Sequence, residues 1–328
     1  MISILIPFKN TAPFFKECID SILAQSHSAF EIIAVDDQSE DDSLEIIKSY
    51  SDKRIQVFKN EGIGILTALQ TAQKHATGKF ITRMDADDVM PKDKLTFLLS
   101  ALEKKGLGYV ATGMVQYFGK EKVSEGYKKY ESWINNVCAK NTFYEEIYRE
   151  CVVASPNWMM HKEDFDLISG FKEIQYPEDY DMVFKWKKAG LQIHGIKQIT
   201  HLWREHKNRT SRTNIHYQQA SFFKLKASHF LRENKNKNIV LLGAKKKGRI
   251  IAKILTSQNI KFRWFEQDQK LIDTKVMGVQ IESYKTFISN NKNTTCIISV
   301  YPDIHHKDKL EKTLLKKGFV IGKTAHYF

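Results

Sequence analysis

The chain has 328 residues, of which 42% are hydrophobic and 27% charged. This is ordinary globular usage and excludes an overall disordered chain, a collagen-like repeat or a small disulfide-held scaffold. Lysine and arginine number 51 against 38 aspartates and glutamates, a formal net charge of +13, and the length suggests about two domains at roughly 100–200 residues each.

The first 110 residues alternate between two periods. Ile2–Pro7 reads as a buried strand, and Phe14–Gln25 places Phe15, Ile19, Ile22 and Leu23 at helical spacing. Glu31–Val35 is a second apolar strand ending at Asp36 and Asp37, followed by a helix over Ser43–Tyr50. A strand over Ile55–Phe58, a helix over Gly64–Ala76 and a strand over Phe80–Met84, ending at Asp85, complete the pattern. Strands alternating with helices through short connections predict a parallel sheet with helices on both faces. Ligands of such sheets lie beyond the carboxyl ends of the strands, where the acidic clusters fall.

The middle of the chain, from Gly113 to Arg232, is less regular and richer in aromatics. A helix is expected over Asp181–Ala189, a short strand over Ile193–Ile196 and an amphipathic helix over Gln219–Leu231. That last helix is read as packing in a core or bridging domains, with shallow insertion into an anionic membrane as the rival. Asn234–Asn238 is polar and charged and is the expected linker. The domains are therefore read as 1–233 and 234–328.

The strand-helix pattern then restarts, with strands over Ile239–Leu242, Lys261–Phe265 and Cys296–Val300 and a helix over Arg249–Gln258. Gly243–Gly248 resembles a dinucleotide-binding turn, with Glu266 at the end of the next strand, but Lys245 replaces the glycine that lets a pyrophosphate approach. A small Rossmann-like accessory domain without NAD is expected. The positive charge is concentrated here, with 19 lysines and arginines against 7 acids from Asn234 to Phe328. Such an excess fits a polyanionic partner or a solvated lysine-rich surface.

Cys18, Cys138, Cys151 and Cys296 form no C-x-x-C pair, as expected of reduced thiols. Met1–Pro7 has no basic region before it and is not a signal peptide, and no stretch approaches the ~18 apolar residues of a membrane span. A cytoplasmic protein is expected, with peripheral contact at the inner face of the membrane.

Four segments carry chemistry. Arg83-Met84-Asp85-Ala86-Asp87-Asp88 crowds three carboxylates after a buried strand, which favours a hard divalent cation such as Mg²⁺ or Mn²⁺ with a diphosphate. The plainer alternative is an acidic turn capping the next helix, where Asp93 also serves. Asp36 and Asp37 can accept from an imide N–H or a ribose hydroxyl, or cap the helix at Ser43. Pro177-Glu178-Asp179-Tyr180-Asp181 opens a helix whose dipole stabilises an ionised carboxylate, and so suits either structure or a general base. Leu202–Arg212 holds Arg204, Lys207, Arg209, Arg212 and His206, a phosphate-clamping segment with a metal-binding imidazole or a solvated basic loop.

Together, these segments resemble the inverting glycosyltransferases of family 2, which have the nucleotide-sugar-binding GT-A fold. The resemblance covers the first ~215 residues and also rests on Ile4–Asn10 and on Asn60-Glu61-Gly62 before a helix. It implies that Asp87 ligates a divalent metal against the sugar-nucleotide diphosphate, with Asp85 on the ribose or the metal and His206 as a further ligand. Either Asp36 or Asp37 would bind the base, in a pocket lined by Pro7 and Phe8. Arg83 would contribute to donor binding, and Arg204 would close over the diphosphate. Asp179, with Glu178 beside it, would activate the acceptor hydroxyl. The donor is expected to be a UDP-sugar, and the acceptor a glycan or lipid-linked sugar of a surface polysaccharide. An oligomer is compatible with this reading.

Two rivals remain. A nucleotidyltransferase making sugar nucleotides needs a Gly-rich, cationic loop after the first strand, which Pro7–Ala12 lacks. A non-catalytic module binding acidic glycan or nucleic acid would use the basic tail. Nucleic acid is disfavoured as the main ligand because residues 1–233 are near neutral.

Overall fold

The computed structural model describes all residues except 121, 210, 211, 213, 288, 290–292 and 301–303, and the side chains of 304–306. It divides into two compact units. The first comprises Met1–Phe143 with Val152–Thr213, and the second Tyr144–Cys151 with Asn214–Phe328.

The first unit opens with β1 (Ile2–Phe8), α1 (Ala12–Leu23), β2 (Phe30–Asp36), α2 (Ser43–Lys48), β3 (Ile55–Lys59), α3 (Ile65–His75), β4 (Phe80–Arg83) and α4 (Lys94–Lys105). The alternation read from the sequence is thus present, with ends displaced by one or two residues. β5 (Tyr109–Phe118), α5 (Glu125–Lys140), β6 (Trp158–His161), α7 (Lys162–Leu167), α8 (Glu178–Lys188) and β7 (Gln192–Arg204) follow, while α6 (Phe143–Glu146), between α5 and β6 in the chain, belongs to the second unit in all but its first residue. The seven strands form one sheet in the order β3-β2-β1-β4-β6-β5-β7, parallel except for β6, which runs against both neighbours.

Period-2 alternation divides β1 between two faces. Ile2, Ile4, Ile6 and Phe8 pack with Phe15, Cys18, Ile19 and Ile22 of α1 and with Leu95, Leu98 and Leu102 of α4. The i, i+3, i+4, i+7 spacing in α1 makes that stripe continuous, and each large side chain buried there contributes about 1.5–3 kcal/mol. The other face of β1 packs against α3. Phe8 pairs with Asp36 and Leu5 with Arg83, so β1, β2 and β4 all end at one edge of the sheet.

β7 is far longer than the strand expected over Ile193–Ile196. It runs beside β5 through an irregularity near Thr112–Val115 and pairs Phe118 with Arg204. A Cβ on Gly113 would lie 2.3 Å from Thr200 Oγ1, so only glycine fits at this bulge. β7 includes Lys197, Gln198 and other exposed residues, which hid it from a search for apolar runs.

The second unit contains α9 (Gln219–Glu233), β8 (Asn238–Leu242), α10 (Lys246–Ser257), β9 (Phe262–Glu266), β10 (Lys275–Val276), β11 (Val279–Ser283), β12 (Thr294–Ile298), α11 (Ile304–Lys316) and β13 (Ala325–Tyr327). Its sheet order is β10-β11-β9-β8-β12-β13, with β10 alone antiparallel. Strand order reverses between β8 and β12, as in a Rossmann-like domain. The turn after β8 is held shut, since Ala244 N–H donates to Glu266 Oε2 at 2.6 Å.

The units divide at residues 213/214, ahead of the expected linker at Asn234–Asn238. The cause lies in α9, where Phe223, Leu225 and Phe230 are buried. Phe230 packs edge-on against Tyr148 and Phe328, with ring centroids 5.3 and 5.2 Å away. The apolar face of α9 therefore belongs to the second unit's own core and is not free to insert into a membrane. All four cysteines are buried and unbridged. Among the described residues, no helix is long and apolar enough to cross a membrane.

Candidate active site

The carboxyl ends of β1, β2 and β4 bring the expected acids to one edge. Asp36 and Asp37 do not cap α2, whose preceding residue, Asp42, makes no side-chain cap bond. Asp36 instead accepts from Ser39 N–H at 3.0 Å within its own turn. Asp37 reaches across to the loop before α3, accepting from Asn60 Nδ2 at 2.6 Å and from Gly64 N–H at 2.9 and 3.0 Å. Gly64 stands at φ +93°, a conformation that favours glycine. Phe8, the last residue of β1, packs its ring against Phe15, centroids 4.7 Å apart. Pro7 lies on the opposite face of β1.

Arg83 is the hub of the acidic edge. Its guanidinium, 3% exposed, donates to Asp85 Oδ1 at 2.9–3.0 Å and to Glu178 Oε1 at 3.1 Å. This links the end of β4 to the first turn of α8. Glu178 is 2% exposed and its carboxyl group is turned onto Arg83. Its neighbour Asp179 is half-buried and accepts from Tyr180 N–H at 2.8 Å. Burial, followed by the charge of Glu178, pushes the Asp179 carboxyl up to about 7, with Arg83 opposing. Tyr176 lies between these groups. A Cβ on Gly64 would sit 3.6 Å from its hydroxyl, and burial followed by the charges of Glu178 and Asp37 raises its pKa.

The three aspartates after β4 separate in role. Asp85 turns to Arg83. Asp87 Oδ2 meets His206 Nε2 at 2.8 Å, both side chains partly open to solvent. Asp88 is 1% exposed and turns inward, bonding His201 Nε2 at 2.9 Å and Arg204 N–H at 2.7 Å. The three carboxylates stay close enough that burial and the charges of Asp87 and Asp85 raise the pKa of Asp88, while a buried imidazole and a backbone N–H hold its oxygens. None of the three caps α4, whose preceding residue, Asp93, makes no cap bond either. Beneath this loop lies the fully buried Lys94, its Nζ donating to Pro156 O at 2.6 Å.

Arg204 is built into the same edge. It donates from Nε to Asp87 O at 2.6 Å and from Nη2 to Glu17 Oε2 at 2.7 Å, and lies over the Phe14 and Phe118 rings. Arg209 and Arg212 both bond Glu205, and Arg209 lies over the Tyr117, Tyr127 and Trp203 rings. These two arginines are therefore held by protein groups, unlike the free clamp expected from their spacing. Thr210 and Ser211 of this segment lie outside the described residues.

Among the described residues, no group of three His, Cys, Asp or Glu side chains stands in metal-holding geometry. Asp87 and His206 nonetheless converge as a carboxylate and an imidazole. Mg²⁺ and Mn²⁺ bound with substrate phosphates need only one or two protein ligands, so this pair fits such an ion, with Asp85 held back by Arg83. Glu17, Tyr176, His201 and Lys94 were not singled out in the sequence. His201 carried the clearest signal, sitting five residues before His206 on an alternating run.

A mostly parallel sheet with a carboxylate-rich edge, closed by an antiparallel strand and a cationic segment, defines a nucleotide-sugar-binding fold of the GT-A type. Residues 3–168 match the family model described as "Glycosyl transferase family 2", and the chain belongs to that family. An uncharacterized glycosyltransferase of Rickettsia felis is 31% identical over 179 residues, covering 54% of this chain and 28% of the relative. The chain thus spans about a quarter of the length of that relative. The Escherichia coli protein WfgD, a UDP-Glc:alpha-D-GlcNAc-diphosphoundecaprenol beta-1,3-glucosyltransferase, is 32% identical over 111 residues, 34% of this chain and 44% of that one. In fold, the chain is similar to Staphylococcus aureus TarS residues 1–349, solved in complex with UDP-GlcNAc. The TM-score is 0.54 at 17% identity, over 77% of this chain and 71% of that one.

Proposed function

We propose that the first unit transfers a hexose or N-acetylhexosamine from a UDP-sugar, with inversion, to a glycan or lipid-linked acceptor in surface polysaccharide synthesis. One observation carries this reading: Asp179, a half-buried acid with its pKa pushed up to about 7, shares the Arg83-centred edge with the Asp87–His206 pair. Family membership, the UDP-GlcNAc bound by TarS and the lipid-linked acceptor in the name of WfgD support the choice of donor and acceptor.

In this reading, Pro7 and one of Asp36 and Asp37 hold the base, and Asp85, fixed by Arg83, meets the ribose. Arg204 exchanges Glu17 for the diphosphate. Asp87 and His206 would hold a divalent ion, Mn²⁺ or Mg²⁺, which supplies positive charge to the leaving diphosphate. Asp179 takes the proton from the acceptor hydroxyl as that oxygen bonds to the anomeric carbon. The bond from the anomeric carbon to the diphosphate oxygen breaks, and UDP leaves with the electron pair. One displacement inverts the centre and needs no enzyme nucleophile.

The second unit would place its excess lysines against an anionic membrane surface that carries the acceptor. The exposed side of α11 supports this, presenting Lys309, Lys312 and Lys316 beside an exposed Leu315. The direct test of transfer is UDP release from UDP-glucose and UDP-N-acetylglucosamine with diphosphoundecaprenol-linked sugars as acceptors. Wild type is expected to turn over one of these pairs. Asp179→Asn is expected to bind UDP normally and lose at least about a hundredfold in transfer. Full transfer by Asp179→Asn would overturn the assignment of the base.

A further inference from the structure

The buried third aspartate of the acidic loop has no part in the chemistry above, yet it is the most tightly held of the three. Val89 and Leu202 form an antiparallel bridge, each N–H donating to the other's carbonyl at 3.1 Å. Asp88 stands next to this bridge. Its two oxygens accept from two points on β7: Oδ2 from His201 Nε2 at 2.9 Å, and Oδ1 from Arg204 N–H at 2.7 Å. Arg204 Nε closes the junction on Asp87 O. His201 is fully buried and its Nδ1 has no hydrogen-bond partner among the described residues, so the ring presents its one proton to Asp88 through Nε2. Asp87, one residue before the brace, and His206, two residues after Arg204, then meet at 2.8 Å.

We propose that Asp88 is a positioning residue whose carboxylate braces the end of β7 against the acidic loop and thereby sets the spacing of Asp87 from His206. The brace acts on the divalent-ion seat of the proposed function and rests on that reading. The physical reason is the cost of alternatives. Without the carboxylate, two buried donors lose their acceptor, and the segment carrying Arg204 and His206 is held to the acidic loop by the Val89–Leu202 bridge and the Arg204 Nε bond to Asp87 O, without the two bonds from Asp88.

The test is Mn²⁺ binding followed by electron paramagnetic resonance, with UDP binding measured by calorimetry in the presence and absence of Mn²⁺. Asp88→Ala is expected to weaken Mn²⁺ binding by about 10–100-fold while UDP alone binds as in wild type. Asp88→Asn removes the charge but keeps the geometry. Its Oδ1 still accepts from Arg204 N–H, and its Nδ2 donates to His201 Nε2 once that ring carries its proton on Nδ1. It is expected to bind Mn²⁺ within a few-fold of wild type. His201→Phe keeps the ring volume and removes one donor, so it answers the question if Asp88→Ala does not fold, with an expected loss of several-fold. Asp88→Asn as damaging as Asp88→Ala would show that charge or direct ligation is at work, and wild-type Mn²⁺ affinity in a folded Asp88→Ala or in His201→Phe would show that no brace is needed. Either result overturns the proposal. A wild-type chain that binds no Mn²⁺ removes the metal reading, and the brace with it.

Discussion

At the scale of single residues, the environment of each carboxylate decides its role. Glu178 and Asp179 are chain neighbours, yet one is paired inside with Arg83, and for the other burial and the charge of Glu178 outweigh the pull of Arg83. The first is engaged by that guanidinium, and the second is raised to about 7 by burial and by the charge of Glu178. A base must be ionised to accept a proton, and a raised pKa keeps Asp179 protonated until the pH passes that value. The rate of transfer under kcat/KM conditions is therefore expected to fall tenfold per unit as pH drops below about 7 and to level off above it. A profile that is flat from pH 5 to 8 would contradict this role for Asp179.

Residue identity was legible where a motif fixed it, and role was not. The sequence placed Asp36 with Asp37 and Asp85 with Asp87 and Asp88, but could not tell which member faces a ligand. For three of them that depends on partners far away in the chain, Gly64 for Asp37, His206 for Asp87 and His201 for Asp88, while Asp85 pairs with Arg83 only two residues before it.

At the scale of elements, β1 to β4 and their helices were readable because buried parallel strands are nearly continuous apolar runs. β7 was not, because it lies at the edge of the sheet and carries the exposed polar residues Lys197 and Gln198 in its middle. α9 was recognised as an amphipathic helix, but the sequence could not show which core its apolar face joins. The aromatic contacts of Phe230 with Tyr148 and Phe328 decide that.

α11 has the opposite character. Leu310 and Leu314 are buried in its unit's core, while Lys309, Lys312 and Lys316 are exposed. Sedimentation with vesicles of anionic lipid is expected to carry the chain down at low salt and release it at high salt. Replacing Lys309, Lys312 and Lys316 together by Glu should abolish this, and equal sedimentation of the variant would remove α11 from the proposed membrane face.

At the scale of the whole molecule, a near-neutral unit with an acidic edge is joined to a basic Rossmann-like unit, and the chemistry is assigned to the first. The account rests on a single convergence, that of the ends of β1, β2 and β4 with the first turn of α8 and the end of β7. The most direct measurement is the thermal unfolding of the full chain with UDP, with and without Mn²⁺, for wild type and Asp87→Ala. Ligand at 100 times its dissociation constant stabilises by about 2.7 kcal/mol, enough to move the transition clearly. Wild type is expected to show a Tm rise with UDP that is larger when Mn²⁺ is present, and the Mn²⁺-dependent increment is expected to disappear in Asp87→Ala. An equal, metal-independent rise in both proteins, or none in wild type, would contradict the account.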